Sequence, residues 1–203
     1  MSKKVLLHGF AVHLTSPVVR LPLGPAASFE IFKDEVESGE AVVFPWGLKK
    51  EVSIFRLLNP FFLLNFYRAE KKIAADPETL WRLKKFIESE QPEEIICHSL
   101  GCFMMNNFCD NFVLPDSVKR IVFIQSDDTV VGFSVPLTNV YCPWDPTLLI
   151  SSLLNGGIRS GLVTTHHDSV KNIFWPLFLP INLHTSTIRD KKFKLFLNND
   201  SVL

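Results

Sequence analysis

The stretch Glu94-Ile-Ile-Cys-His-Ser-Leu-Gly-Cys-Phe103 decides the fold of this chain. Its isoleucine pair predicts a buried strand, and residues 102–112 have the apolar spacing of a helix. Ser99 therefore lies at the apex of a predicted strand, sharp turn and helix, the context that gives a Gly-x-Ser-x-Gly motif its meaning. Such a turn requires small residues two positions before and two after the serine, and Cys97 and Gly101 are small enough.

The length and charge of the chain limit its architecture and its partners. At 203 residues it is predicted to form a single domain, residues 1–203, with little room for a separate cap. Lys plus Arg and Asp plus Glu number 21 each, so no net charge favours nucleic acid or an anionic surface as a partner. We expect a small neutral molecule instead.

The apolar runs and the cysteines of the sequence predict where in the cell the protein is located. The apolar stretch Val5–Leu7 near the start is too short for an export signal, and no run reaches the roughly 18 apolar residues of a membrane span. The four cysteines contain no Cys-x-x-Cys pair, which predicts reduced, buried thiols. These features predict a cytoplasmic protein without a transmembrane segment. The cysteines are Cys97, Cys102, Cys109 and Cys142.

A second motif lies at the end of the first predicted strand. Residues 4–7 are apolar and run directly into His8-Gly9-Phe10. A His-Gly pair here and the turn at Ser99 together resemble the oxyanion loop and nucleophile elbow of the alpha/beta-hydrolase superfamily. The resemblance implies that the backbone N–H groups of Phe10 and Leu100 form an oxyanion hole. Without the elbow, the His-Gly pair would indicate only a turn.

Alternating strand and helix patterns predict an α/β fold with a central, mostly parallel sheet of about six strands, helices on both faces and a minimal lid. The elbow strand should be central and parallel to the strand before it. Residues 15–27 are predicted to be an irregular loop, and residues 158–176 to be loop-rich. The other predicted strands are residues 40–45, 117–125, 138–142 and about 180–183, and the other predicted helices are residues 28–37, 60–74, 76–90 and 147–154, the last stopped by Gly156-Gly157.

Residues 54–67 form the most apolar stretch of the chain. From residue 60 onward, apolar side chains cover nearly the whole circumference of the predicted helix, which favours a buried helix. The alternatives are a lid, a surface that binds an acyl chain, or a contact between copies in a homo-oligomer.

A catalytic serine needs a base to take its proton and an acid to orient that base. In the alpha/beta-hydrolase order the acid follows the serine and the histidine comes last. Asp145 follows the strand two after the elbow, and His184 follows the last predicted strand. Asp127 and Asp128, after the strand next to the elbow, are the alternative acids.

The remaining histidines and two tryptophans have weaker assignments. His166-His167-Asp168 could suggest a metal site, but without further ligands an exposed loop is favoured, and no metal is predicted. His98 is expected to point away from Ser99 and to pack beside the site. His8, Trp46 and Trp144 are predicted substrate-binding residues, with burial in the core as the alternative for Trp46.

The overall pattern looks like small, uncapped bacterial alpha/beta-hydrolase domains of undefined substrate. The resemblance implies a serine hydrolase that acts on an ester or thioester through Ser99, His184 and Asp145, without a cofactor. The alternatives are a catalytically inactive binding or interaction protein with the same fold, or an acyltransferase. The features that carry the resemblance are Trp46-Gly47, Tyr67 with its helix, residues 98–101, Asp145 with Leu148-Leu149, Gly156-Gly157 and His184.

Overall fold

The computed structural model describes residues 3–10, 14–15, 25–48, 50–51, 59–130, 132–176 and 183–200. The strands are β1 Lys4–Leu7, β2 Leu14–Thr15, β3 Ala41–Val43, β4 Lys50–Glu51, β5 Glu94–His98, β6 Arg120–Ile124, β7 Leu137–Tyr141 and β8 Val170–Phe174. The α-helices are α1 Lys33–Ser38, α2 Pro60–Ala74, α3 Pro77–Glu90, α4 Leu100–Asn111, α5 Pro146–Asn155, α6 Leu183–Ser186 and α7 Lys191–Asp200, with 3₁₀ helices at Pro25–Phe32 and Thr187–Arg189.

Six of the strands form one parallel sheet in the order β3-β1-β5-β6-β7-β8. The elbow strand β5 is buried along its whole length, and Ile96 lies between Leu6 of β1 and Val122 of β6. The predicted α/β class, six strands and central elbow strand are confirmed. Strand β5 pairs with β1 and β6, while the strand of this sheet that precedes it in the chain, β3, pairs with the opposite edge of β1. Strand β5 is parallel to β3, as predicted.

Helices cover both faces of this sheet, as predicted. Successive side chains of a strand point to opposite faces, so Ile95 and Cys97 contribute to one core cluster and Ile96 to the other. The first cluster includes side chains of α2, α3 and α4, and the second includes side chains of the 3₁₀ helices and α7. The elbow is thereby enclosed by packed elements on both sides.

The predicted helix starts are confirmed by their caps. The Asn59 side chain accepts a hydrogen bond from the Phe61 N–H at 2.9 Å, and the Asp76 carboxylate accepts one from the Thr79 N–H at 2.9 Å. In both helices a proline occupies the first position, where the missing N–H needs no partner. Gly156 ends α5 with φ of +70°, as the predicted glycine stop requires.

The structure contains a strand at the sheet edge that was not predicted. Strand β8 lies within residues 158–176, which were predicted to be loop-rich, and in the described part of the chain it is the edge strand of the sheet, paired with β7. An edge strand with one half-exposed face lacks the continuous apolar run that marks the central strands. Residues 180–182 lie outside the described residues, and Leu183 begins α6, so His184 is on a short helix.

Two predictions near the start of the chain also need correction. The helix predicted at residues 28–37 is a 3₁₀ helix followed by the six-residue helix α1. Residues 14–15 pair in parallel with residues 50–51 in a separate two-stranded ladder. Pairs as short as these leave no recognisable alternation of apolar and polar residues, so the sequence pattern did not reveal them.

The apolar stretch 54–67 is described only from residue 59 onward. Within α2, Phe66 is buried, whereas Phe61 is 76% exposed. The prediction of a helix buried on all sides is therefore wrong at its first turn. Contact between copies of the chain through this stretch stays a prediction.

The cysteine side chains lie in the core or at its margin. All four cysteines are free, and Cys97, Cys102 and Cys142 are buried while Cys109 is half-buried. In the part of the chain that the structure describes, no helix has the length and apolar character needed to cross a membrane.

Candidate active site

Ser99 occupies the turn between β5 and α4 in a backbone conformation that favours glycine. Its φ is +53° and its ψ is −118°, and a residue with a side chain held in such a region stores about 1–3 kcal/mol of strain. The Ser99 N–H donates to the Ile124 carbonyl at 3.0 Å, and the Ser99 carbonyl accepts from the Cys102 N–H at 3.0 Å. A strained serine fixed at the end of a central strand matches the predicted elbow.

The turn is closed against the end of β1 by two glycines. A Cβ added to Gly101 would lie 2.3 Å from the Leu7 carbonyl oxygen. A Cβ added to Gly9 would lie 2.9 Å from the Cβ of Ser99 and 3.0 Å from Nδ1 of His98. The His8–Phe10 loop is therefore in contact with the elbow, and this contact explains why the turn requires glycine at position 101.

Replacing Gly101 with alanine is expected to lower the free energy of unfolding by about 1–3 kcal/mol, because the new methyl group forces the backbones of α4 and β1 apart. Gly157→Ala is the matched control, since a Cβ at Gly157 meets no atom within 4 Å. Urea denaturation of both variants measures the difference. Equal stability of the two variants would contradict the tight contact.

The structure joins Asp145 to His184. The Nδ1 atom of His184 lies 2.7 Å from Oδ2 of Asp145, whose side chain is completely buried. Oδ1 of the same carboxylate accepts from the Thr147 N–H at 3.0 Å and the Leu148 N–H at 3.3 Å, and Gln125 donates to Oδ2. Asp145 is thus also the N-cap of α5. The sequence analysis did not identify this second role.

These contacts keep Asp145 ionised. Burial by itself would raise the pKa of the Asp145 carboxyl group, but the hydrogen bond and the charge of His184, helped by the Leu148 N–H and Gln125, lower that pKa below its ordinary value. A buried carboxylate on Nδ1 fixes the neutral imidazole with its proton on Nδ1 and leaves Nε2 able to accept a proton.

The other ring nitrogen of His184, Nε2, is the candidate base. Among the described residues, Nε2 of His184 is buried and has no hydrogen-bond partner, so the Ser99 hydroxyl does not bond to it in this arrangement. Contacts between a catalytic serine and its base are often long in the absence of substrate and shorten when it binds. The site therefore contains a base with an available lone pair and a fixed orientation.

The two alternative acids have other partners. Asp127 is buried, and its carboxylate accepts hydrogen bonds from Tyr67 at 2.9 Å and from Ser151. Asp128 accepts from Asn106 at 2.7 Å and from its neighbour, the Thr129 N–H, at 2.9 Å. Of the three candidate carboxylates in the described part of the chain, Asp145 is the one that hydrogen-bonds to His184.

Asp127 and Tyr67 link the elbow to helix α2. The Asp127 N–H donates to the Ser99 carbonyl at 3.3 Å, and the ring of Phe10 packs edge-on against Tyr67 at 5.7 Å. Burial raises the pKa of Asp127, and burial together with Asp127 raises the pKa of Tyr67 to about 12, so the phenol remains a neutral donor. Sequence reasoning did not find this network, since no local pattern relates residues so far apart.

The remaining predicted site residues lie in two places. His8, the first residue of the loop that contacts the elbow, stacks on Trp46 with 5.0 Å between ring centroids, and both side chains are buried. Trp144 is 47% exposed and packs against Phe174 on β8.

The polar loop considered as a metal site is exposed. His166, His167 and Asp168 are all solvent-accessible, and the His167 ring bonds to Ser169. Within the described ranges, no three His, Cys, Asp or Glu side chains gather in a group that could hold a metal ion.

Comparison with known proteins gives distant similarities to solved structures. No family model and no curated protein matches the chain. Among solved structures, the chain is similar to a proposed hydrolase of the alpha/beta superfamily from Xanthomonas campestris pv. campestris, with 13% identity and a TM-score of 0.47 over 98% of this chain and 99% of that one. This similarity is too distant to transfer an activity. The parallel sheet, the helices on both faces and the turn at Ser99 are consistent with the predicted alpha/beta-hydrolase fold.

Proposed function

We propose that this chain, which has an alpha/beta-hydrolase fold, is a serine hydrolase that cleaves an ester or thioester. The observation that carries the proposal is the state of His184, whose Nδ1 bonds to the buried Asp145 while its Nε2 has no hydrogen-bond partner among the described residues. The strained turn that presents Ser99 also supports the proposal. Nucleophile, base and orienting acid are the three groups that acyl transfer through serine requires.

The proposed reaction has two stages. Ser99 Oγ bonds to the substrate carbonyl carbon while its proton passes to Nε2 of His184, and the leaving alcohol or thiol then takes that proton as the tetrahedral intermediate collapses. In the second stage water gives a proton to Nε2 and attacks the acyl group, and the carboxylic acid leaves as Ser99 recovers its proton. Asp145 stabilises the imidazolium in both stages.

The proposed oxyanion hole consists of the N–H groups of Leu100 and Phe10. Leu100 is the first residue of α4, and the first N–H groups of a helix have no partner within the helix. The partial positive charge of a helix N-terminus adds to their attraction for an oxyanion. Phe66 and Tyr67 pack against the Phe10 ring at 5.6 and 5.7 Å, which supports a fixed position for the second donor.

Of the three predicted substrate-binding residues, the proposal keeps direct contact with substrate for Trp144 and gives the buried pair His8 and Trp46 a supporting role. Trp46 is 3% exposed under His8, so we assign it to holding the His8–Phe10 loop and not to direct contact with substrate. Trp144 is half-exposed and next to Asp145, where it can contact an apolar acyl or alcohol group. The balanced charge of the chain favours a neutral substrate.

A panel of esters and thioesters with short to long acyl chains tests this function. The purified chain should hydrolyse at least one class, and His184→Ala should not. Adding an alcohol or thiol acceptor distinguishes a hydrolase from an acyltransferase, since an acyltransferase forms the new ester or thioester in preference to the free acid.

The second candidate is a binding protein with the same fold, favoured by the absence of a Ser99–His184 hydrogen bond among the described residues. Wild-type protein with no turnover on any member of the panel would support this candidate over the hydrolase.

A further inference from the structure

His98, the residue before the proposed nucleophile, contacts the proposed base through the main chain. It is 3% exposed, and its Nε2 lies 2.9 Å from the backbone carbonyl oxygen of His184. A carbonyl oxygen can only accept, so Nε2 of His98 must carry the hydrogen and donate it. The tautomer of His98 is thereby fixed as the one with the proton on Nε2.

The environment of His98 keeps its ring neutral. Burial, and next the proximity of His184, lower the pKa of His98 to about 3. The two rings lie 4.9 Å apart at an angle of 43°. A second positive charge at this distance would oppose formation of the His184 imidazolium, so a neutral neighbour is what proton transfer through His184 requires.

The helix that presents His184 is short and is followed directly by the 3₁₀ helix Thr187–Arg189. His184 lies on α6, a helix of four residues. Two hydrogen bonds tie His184 itself to the body of the domain, one from its ring to Asp145 and one from His98 to its carbonyl. The ring bond fixes the direction of the imidazole, while the main-chain bond fixes the position of the backbone that carries it.

We propose that His98 is a positioning residue, whose Nε2–H bond to the His184 carbonyl holds the base at a fixed distance from the elbow. The proposal rests on the proposed function, because it assigns His98 a role in that same reaction. His98 and Ser99 are consecutive, so this bond couples the base directly to the turn that carries the nucleophile. A displacement of about 1 Å between such groups costs on the order of 10²-fold in rate.

A positioning role and simple packing predict different results for two substitutions. His98→Met fills a similar volume without a donor, whereas His98→Gln keeps an amide N–H at about the same reach. If only packing matters, methionine should be the milder change in this buried site. If the hydrogen bond matters, glutamine should be the milder change.

The experiment measures kcat and KM for the best ester of the panel, together with the thermal midpoint of each variant. We expect His98→Met to lower kcat by about 10²-fold with little change in KM, and His98→Gln to recover most of the loss. Wild-type kcat in His98→Met, or an equal loss in both folded variants, would overturn the proposal.

A measurement that needs no turnover separates this proposal from the proposed function. NMR of ¹⁵N-histidine-labelled protein should show His98 in the Nε2–H tautomer, and His98→Met should shift or broaden the downfield His184 Nδ1–H signal. An Nδ1–H tautomer for His98 in the wild-type protein would overturn the positioning role, even if the methionine variant does not fold. Absence of ester hydrolysis by the wild type, with the expected NMR spectra, would instead contradict the hydrolase function alone.

Discussion

Replacing Ser99 with alanine is expected to lower kcat by about 10⁶-fold, the magnitude found when the serine of a serine-protease triad is removed. The reason is that no other group can form the acyl-enzyme, and Asp145 and His184 have no function in that step without the hydroxyl. The backbone bonds that hold the turn come from the Ser99 N–H and carbonyl and are kept by alanine. We therefore expect a loss of activity with nearly unchanged stability.

Ser89→Ala is the matched control for this substitution. Ser89 is exposed on α3, and its hydroxyl donates a hydrogen bond to the carbonyl of Phe86 within its own helix. The control should retain full activity. Ester hydrolysis by Ser99→Ala at a rate within tenfold of wild type would exclude Ser99 as the nucleophile.

Replacing Asp145 with asparagine is expected to lower kcat by about 10⁴-fold, as for the orienting acid of a serine-protease triad. The carboxylate accepts hydrogen bonds from four donors: the His184 ring, Gln125 and the N–H groups of Thr147 and Leu148. An amide presents one oxygen and one NH₂ group, so in either orientation its NH₂ faces donors. We expect the wrong His184 tautomer or a lost helix cap, and lower stability by about 1–3 kcal/mol.

Two further substitutions make the result specific. Asp116→Asn, at an exposed loop position, controls for the change of charge and should leave kcat and stability unchanged. Asp127→Asn tests the alternative acid, because Asp127 is as buried as a triad acid should be but bonds to Tyr67 and Ser151. Near-normal turnover in Asp145→Asn together with a 10⁴-fold loss in Asp127→Asn would assign the acid to Asp127.

The sequence predicted the centre of the fold better than its edges. Strands β1, β5 and β6 are buried on both faces, so each appears in the sequence as a continuous apolar run. Strand β8 lies at the edge with none of its residues fully buried, and its position depends on pairing with β7. Such pairing between distant residues leaves no local signal, which is why His184 was assigned to a strand end.

The three proposed catalytic residues were predicted from the sequence, but the hydrogen bonds that hold the site together were not. The order of Ser99, Asp145 and His184 along the chain was enough to propose them, because chain order and strand ends are visible in a sequence. The bond from His98 to His184 spans 86 residues and that from Tyr67 to Asp127 spans 60. These contacts follow from tertiary packing and required the structure.

The most direct test of the proposed nucleophile is covalent labelling by a fluorophosphonate, followed by intact-mass measurement and peptide mapping. We predict one adduct per chain, located on Ser99, and no adduct on Ser99→Ala, with Ser89→Ala labelled like the wild type. Labelling should also slow strongly in His184→Ala, because the hydroxyl then lacks its base. An unlabelled wild-type chain, or an adduct that persists in Ser99→Ala, would contradict the assignment of Ser99 as the nucleophile.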